Sequence, residues 1–362
     1  MHPKANPDLM GHETAERLLW QAWHSNRLAH AWLICGARGI GKMTLACRFS
    51  RFILATGLPR PRSGDGRSVT PLLYVSPDHP TFRQIAVGCH SDFRLIERGC
   101  DASGQEKTHL LIENIKEVIR FMRLTPATGE WKIVVIDDVE TLYSNSGNAL
   151  LKILEEPEPR ALLFLVSHSP GLLLPTIRSR CNLLTLRPLP EGQVRALLER
   201  YRPALTSKEI PVLTYLAEGS IGQALVLADN NGVALYLAFL NLLENTPHLY
   251  GPSLHDLSDK VARADMRLFT TFGELIRAWL FRVVRYCVTG KLAANIILLP
   301  EELRLTSRLM TPLKLDQWVE VWENIGDLFR QTEVLHLDRR QVITSTLYAV
   351  VQLVQSSTLL AE

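Results

Sequence analysis

Little in this chain of 362 residues points to a zinc-binding, secreted or membrane protein. Its six cysteines, at positions 35, 47, 89, 100, 181 and 287, form no C-x-x-C pair, and no histidine pair lies at finger spacing. A zinc site therefore has little support, and the thiols read as the reduced ones of a cytosolic protein. No apolar stretch approaches the roughly 20 residues that a membrane helix needs. Residues 161–166 are apolar but only as long as a buried strand. The first residues, MHPKANPDLM, lack the charged-then-apolar layout of a signal peptide, so a cytoplasmic protein with no membrane partner is expected. An excess of one charge is missing as well: the net charge of +3 neither demands nor excludes nucleic acid. There is no internal repeat and no extended low-complexity segment. What remains, 46% hydrophobic and 21% charged residues, describes a folded globular chain whose length calls for two or three domains.

Against that background the stretch Gly36-Ala37-Arg38-Gly39-Ile40-Gly41-Lys42-Met43-Thr44 stands out as a phosphate-binding loop with one residue changed. The pattern G-x-x-x-x-G-K continues with Ser or Thr, and Met43 takes that place. Such a loop cradles phosphates with backbone N–H groups at a helix N-terminus, where the dipole favours negative charge. Gly36, Gly39 and Gly41 let the backbone close around the anion, and Lys42 neutralises it. The missing hydroxyl is the one that would hold a magnesium ion. Thr44 does not obviously replace it, because one helical position turns a side chain by about 100°.

The context suits the motif. Ala15, Leu18, Leu19, Ala22 and Trp23 make one helical face over 13–27, and the apolar run 31–35 leads as a strand into the loop. Leu45, Phe49, Phe52 and Ile53 continue as a helix that Gly57 and Pro59 stop. Residues 58–107 are the least legible, a Pro/Gly/Arg/Ser loop followed by weak alternation. Ile112, Ile115, Ile119 and Met122 predict a helix over 111–122. Residues 133–136, after Lys132, form a run of four β-branched residues ending in Asp137 and Asp138, a buried parallel strand that presents carboxylates at its C-terminal edge. The first Asp of such a pair orients magnesium, and the place of a water-activating Glu is taken by Asp138. Glu140 lies two residues on and is expected to face elsewhere. A helix over 148–156, a strand over 161–167 ending in Ser167, and a last strand over 183–186 complete a parallel sheet covered by helices. Beyond Pro188 and Pro190 the text is helical.

The segments GHETAERLLWQAWHSNRLAHAWLICGARGIGK, NALLKILEEPEP, Ser179-Arg180-Cys181 and GSIGQAL (219–225) resemble the clamp-loader branch of the AAA+ proteins, and within it the delta-prime class of DNA polymerase III subunits. The likeness is strong over 10–56 and 108–228, weaker over the C-terminal helices and poor over 58–107. It implies an AAA+ P-loop domain over 1–187, a helical lid over 188–232 and an all-α collar over 233–362. It also implies a nucleotide site at 36–42, Asp137 as the magnesium-orienting Asp and Ser167 as a polar sensor. Arg180 becomes an arginine finger acting in a neighbouring subunit's ATP site. The implied ligand is ATP or ADP with Mg2+ in a degenerate site. The implied partners are motor gamma/tau-type and delta-type subunits, with the sliding clamp and primed DNA reached through the complex. Three departures matter: Met43, Asp138, and Gly222 where an active relative carries a second sensor arginine. All three favour a subunit that does not hydrolyse ATP efficiently over a motor subunit or a stand-alone AAA+ repair ATPase. Many relatives carry four cysteines after the P-loop helix; 58–80 has none, so no metal is expected.

Blander readings stand beside these. Asp137 and Asp138 could be a solvated strand end, and an isolated arginine such as Arg180 is most often a surface charge. Cys181 suits a buried small residue better than a reactive thiol. The run 166–171, VSHSPG, lacks the first glycine of a hydrolase elbow. The stripe Trp318, Val321, Trp322, Ile325, Leu328 and Phe329 reads as helix-packing core. Arg48 and Arg51, on the P-loop helix, read as solvated charges.

Overall fold

The computed structural model describes residues 2–57, 72–99, 110–127, 131–244, 251–289, 299, 302, 304–305, 315–335 and 337–359. The loop 59–68 and the glycine at 129 lie outside them. The chain forms two compact units, 1–193 and 194–362.

The first unit is built on a parallel five-stranded sheet of order β2-β3-β4-β1-β5, with β1 Ala31–Cys35, β2 Phe93–Ile96, β3 Lys132–Ile136, β4 Ala161–Ser167 and β5 Asn182–Thr185. Every residue of β1, β3 and β4 is buried, as strands covered on both faces require. Alternation then sorts their side chains into two cores. Trp32, Ile34, Ile133, Val135, Leu162, Phe164 and Val166 pack with α1 (Glu13–His24) and α2 (Lys42–Thr56). Leu33, Cys35, Val134, Ile136, Leu163 and Leu165 pack with α4 (Ile112–Met122) and α5 (Ser144–Glu155) on the other face. This is the α/β architecture with a parallel sheet that the strand–helix alternation calls for.

The illegible stretch holds two elements of this sheet layer. The helix α3 (Pro80–Val87) and the strand β2 lie in it, and β2 pairs with β3 from Phe93↔Ile133 to Ile96↔Ile136. Both are short, eight and four residues, so neither carries enough periodicity to show in the sequence.

Arg48 and Arg51 contradict their reading as solvated charges: they are 3% and 1% exposed. α2 runs through the core, and the N-terminal segment lies against it and supplies acceptors. Arg48 Nε donates to Glu16 Oε1 at 2.5 Å and its Nη1 to the Pro7 carbonyl. Arg51 donates to the carbonyls of Lys4 and Asn6 at 2.8 and 2.7 Å and lies 4.5 Å over the Phe82 ring.

The second unit is helical. It includes α8 (Glu209–Leu216), α9 (Ile221–Asp229), α10 (Gly232–Glu244), α11 (Gly251–Arg263), α12 (Met266–Thr289) and the helices Leu315–Leu335 and Arg339–Leu359. Its core carries edge-to-face aromatic pairs, Phe239–Trp279 at 5.4 Å and Trp279–Trp318 at 6.1 Å between centroids. Trp318, Ile325 and Phe329 are buried, so the aromatic stripe is core. Arg282 is buried among polar partners: its Nε donates to Glu302 Oε1 at 3.0 Å and its Nη2 to Tyr236 Oη at 2.8 Å. Among the described residues no single helix is long and apolar enough to cross a membrane.

Candidate functional site

In a parallel sheet all C-terminal strand ends share one edge, and ligands of such sheets bind there. The adjacent strands β3, β4 and β1 end at this edge in Asp137, Ser167 and the loop 36–42, with Cys35 registered against Ser167. Gly36, Gly39 and Gly41 all take positive φ, 145°, 76° and 108°. A Cβ on Gly36 would sit 2.6 Å from the Leu186 carbonyl oxygen. Gly36→Ala is therefore expected to destabilise the first unit by about 1–3 kcal/mol, measured by urea denaturation.

The loop opens onto the N-terminus of α2, a 15-residue helix. Lys42 Nζ donates to the carbonyls of Gly36 and Ala37 at 2.8 and 2.7 Å, so the ammonium closes the loop on itself. Burial pulls the Lys42 pKa down, against the upward pull of Asp137, Glu140 and Asp138. Met43 is buried in the apolar core with Leu45 and Ala46, which gives the hydroxyl position to packing. Thr44 is buried in the first turn of α2. The glycines, the helix N-terminus and Lys42 thus fit a phosphate. Of the residues a phosphate loop uses for magnesium, the Asp137 carboxylate and the Ser167 hydroxyl lie at this edge, and the hydroxyl at 43 is missing. Ser167 is fully buried, and its Oγ accepts from the Ser169 N–H at 3.2 Å.

The acidic end of β3 divides in two. Burial and the neighbouring Asp138 charge raise Asp137 to about 6. Asp138 adopts a left-handed backbone, φ 47°, and its carboxylate is fully engaged. Arg98 Nη2 lies 2.9 Å from Asp138 Oδ2, and His168 Nδ1 lies 3.3 Å from Oδ1. Although burial acts the other way, His168 and Arg98 together hold Asp138 down to about 2. Glu140 is turned toward the end of β4: its Oε1 accepts from the backbone N–H groups of His168 and Ser169 at 2.9 and 3.2 Å and touches His168 Nδ1. The Asp138 and Glu140 carboxylates that face Nδ1, against desolvation, raise His168 to about 9.

These shifts have opposite consequences for stability. The His168 contribution is complete below the ordinary value of 6.5 and is lost as pH rises through about 9. That of Asp138 is complete above 3.8 and is lost only as pH falls through about 2. Asp137, raised, contributes below 3.8 and loses that contribution as pH rises through about 6. Between 6.5 and 9 His168 therefore dominates this cluster. Thermal melts are expected to show the midpoint falling across that window, with a shallower fall in His168→Gln.

Arg180 is not brought to this edge. It precedes β5, whose first residue, Asn182, is registered against Trp32, while the loop begins at Gly36. At about 3.3 Å per residue, roughly 13 Å of strand separate the two levels. Arg180 is partly exposed, 37%, and its Nη2 lies 2.8 Å from Glu155 Oε1 at the end of α5. Its Nη1 donates to the Thr176 carbonyl at 3.0 Å. Cys181 beside it is half-buried, and burial pushes its thiol up to about 12, which removes it as a nucleophile. Gly222 lies in the first turn of α9, which Ser220 caps by accepting from the Gln223 N–H at 3.1 Å.

Three residues of the site went unnoticed in the sequence: His12, Arg98 and His168. His12 is buried, and its Nε2 donates to the Ile40 carbonyl in the phosphate loop at 2.7 Å. His12 belongs to the GHE start of a motif already conspicuous, and His168 follows the sensor serine. Arg98 falls in the illegible stretch and had no signal.

Comparison with known proteins places these features. Residues 11–190 match the family described as "DNA polymerase III, delta subunit". The chain is similar to the DNA polymerase III subunit tau of Escherichia coli (strain K12), 32% identical over 231 residues, 63% of this chain and 33% of the relative. It is similar to the subunit delta' of Pseudomonas aeruginosa, 31% identical over 194 residues, 53% of each chain. The subunit delta' of Escherichia coli is 30% identical over 206 residues, 57% of this chain and 56% of the relative. The matches thus span between a third and a little over half of these relatives' length.

Proposed function

We propose that this chain, whose residues 11–190 match the family described as "DNA polymerase III, delta subunit", acts as the delta-prime-type member of a DNA polymerase III clamp loader: a subunit that lends Arg180 to a neighbour's ATP site and hydrolyses little or no ATP itself. The observation that carries this reading is the state of Asp138. A general base must be free to take a proton from the attacking water at neutral pH. The carboxylate at the water-activating position is instead paired with Arg98 and His168 and held down to about 2. Met43, buried in the core, supports the reading by removing a magnesium ligand.

In this account the loop 36–42 and Lys42 hold the phosphates of a resident nucleotide, Asp137 and Ser167 face it from β3 and β4, and His12 fixes the loop through Ile40. A Mg2+ held by Asp137 and Ser167 would supply neutralisation of phosphate charge. Nucleotide entry requires Lys42 to exchange its two carbonyl partners for phosphate oxygens. The helices beyond 188 serve as lid (188–232) and collar (233–362) holding the ring together. The function served is loading of the sliding clamp onto primed DNA with motor and delta-type subunits.

Reconstitution tests this. Mixed with motor and delta-type subunits, the chain is expected to restore DNA-stimulated ATP turnover, and Lys42→Ala is expected to leave most of that turnover in place. Loss of turnover in Lys42→Ala comparable to that of a motor-subunit P-loop variant would favour the gamma/tau-type reading, which the tau similarity keeps in view.

A further inference from the structure

We propose that Asp138, Glu140 and His168 form a site for a divalent transition-metal ion of the zinc, cobalt or manganese kind, distinct from the magnesium position at Asp137. Asp138 Oδ1, a Glu140 carboxylate oxygen and His168 Nδ1 lie within 4.8 Å of one another, and all three residues are partly buried. Two carboxylates and one imidazole form a donor set typical of such ions and unlike the all-oxygen set that magnesium takes.

Hydrogen counting gives the first independent argument. Nδ1 carries at most one hydrogen in any protonation state, yet it faces Asp138 Oδ1 at 3.3 Å and touches Glu140 Oε1. One hydrogen cannot serve both oxygens well, and among the described residues Nδ1 has no partner of good hydrogen-bond geometry. A cation in place of that hydrogen serves both.

The second argument is Glu140 itself. Its side chain is 3% exposed, and Oε2 is buried with no hydrogen-bond partner among the described residues. A buried, unpartnered carboxylate oxygen is costly and calls for an explanation. A metal ligand at this place supplies one. The surrounding contacts are those of a supported site: Arg98 holds Asp138 Oδ2, and the backbone N–H groups of His168 and Ser169 hold Glu140 Oε1. His168 is 31% exposed, which leaves a route for the ion and for water ligands.

Finger spacing could not reveal this site, because its ligands come from two strand ends 28 residues apart (Glu140 to His168) and include no cysteine. Binding must release the Nδ1 proton, so affinity rises with pH.

The test is titration of the nucleotide-free, tag-free full chain with Co2+ and Zn2+, by calorimetry and by cobalt d–d absorption. One equivalent is expected with the low-symmetry cobalt spectrum of a nitrogen–oxygen site. His168→Gln and Glu140→Gln should each weaken it roughly tenfold or more, and the exposed His255→Gln should not. The two variants keep the test valid if one fails to fold. An absent equivalent, or affinity unchanged in both folded variants, would overturn the proposal and leave an imidazolium–carboxylate triad only.

Discussion

If the proposed role holds, Arg180→Ala is expected to lower ATP turnover at the neighbouring site of an assembled loader by about 10³-fold or more, the range measured for arginine fingers. The fold should be indifferent to the change. Arg180 bonds a carboxylate that is itself 49% exposed, and a surface pair of that kind contributes about 0–1 kcal/mol. The weakness of that bond is what makes the residue available: a neighbour's phosphates can take the guanidinium from Glu155 at small cost. Its place at the opposite end of the strands from the loop 36–42 is why the affected site is not this chain's own. Arg180→Lys should recover little, because a point charge cannot reproduce the planar fork on a phosphoryl group. Steady-state ATPase assays of reconstituted loaders, with melts of each variant alone, separate the catalytic effect from a structural one.

The second large effect is on stability. Glu16→Ala is expected to destabilise the first unit by about 3–5 kcal/mol, because it leaves the Arg48 guanidinium buried and without its carboxylate. That is a large part of the roughly 5–15 kcal/mol available to a domain. Burial raises the Glu16 pKa despite the pull of Arg48, so desolvation of the carboxylate outweighs its attraction to the guanidinium. Replacing both residues together, Glu16→Leu with Arg48→Met, should therefore recover most of the loss. Urea denaturation of the two single variants and the double variant measures the coupling.

The contrast between Arg180 and Arg48 shows what a sequence can and cannot tell. Both are arginines beside a cysteine, Arg48 on α2 and Arg180 in the turn that precedes β5. Arg180 is marked by its SRC setting, whereas the burial of Arg48 depends on the Pro7 carbonyl and Glu16, 41 and 32 residues away. The central strands were legible because, apart from Lys132 at the start of β3 and Ser167 at the end of β4, every side chain of β1, β3 and β4 is apolar. The strand β2 was not: four residues at the sheet's margin, with Arg94 stacked 4.7 Å over Phe121, leave no run to read. The phosphate loop, Asp137 and Ser167 were legible because local order fixes which strand end each occupies. The engagement of Asp138 was not, since Arg98 and His168 reach it from other strands. Only the fold brings those three together.

The central claim is that this P-loop binds without turning over. Single-turnover measurement with radiolabelled ATP, Mg2+ and excess purified chain addresses it directly. The account predicts retained nucleotide without phosphate release above the buffer rate. Magnesium-dependent phosphate release that disappears in Lys42→Ala would contradict it and make this chain a motor.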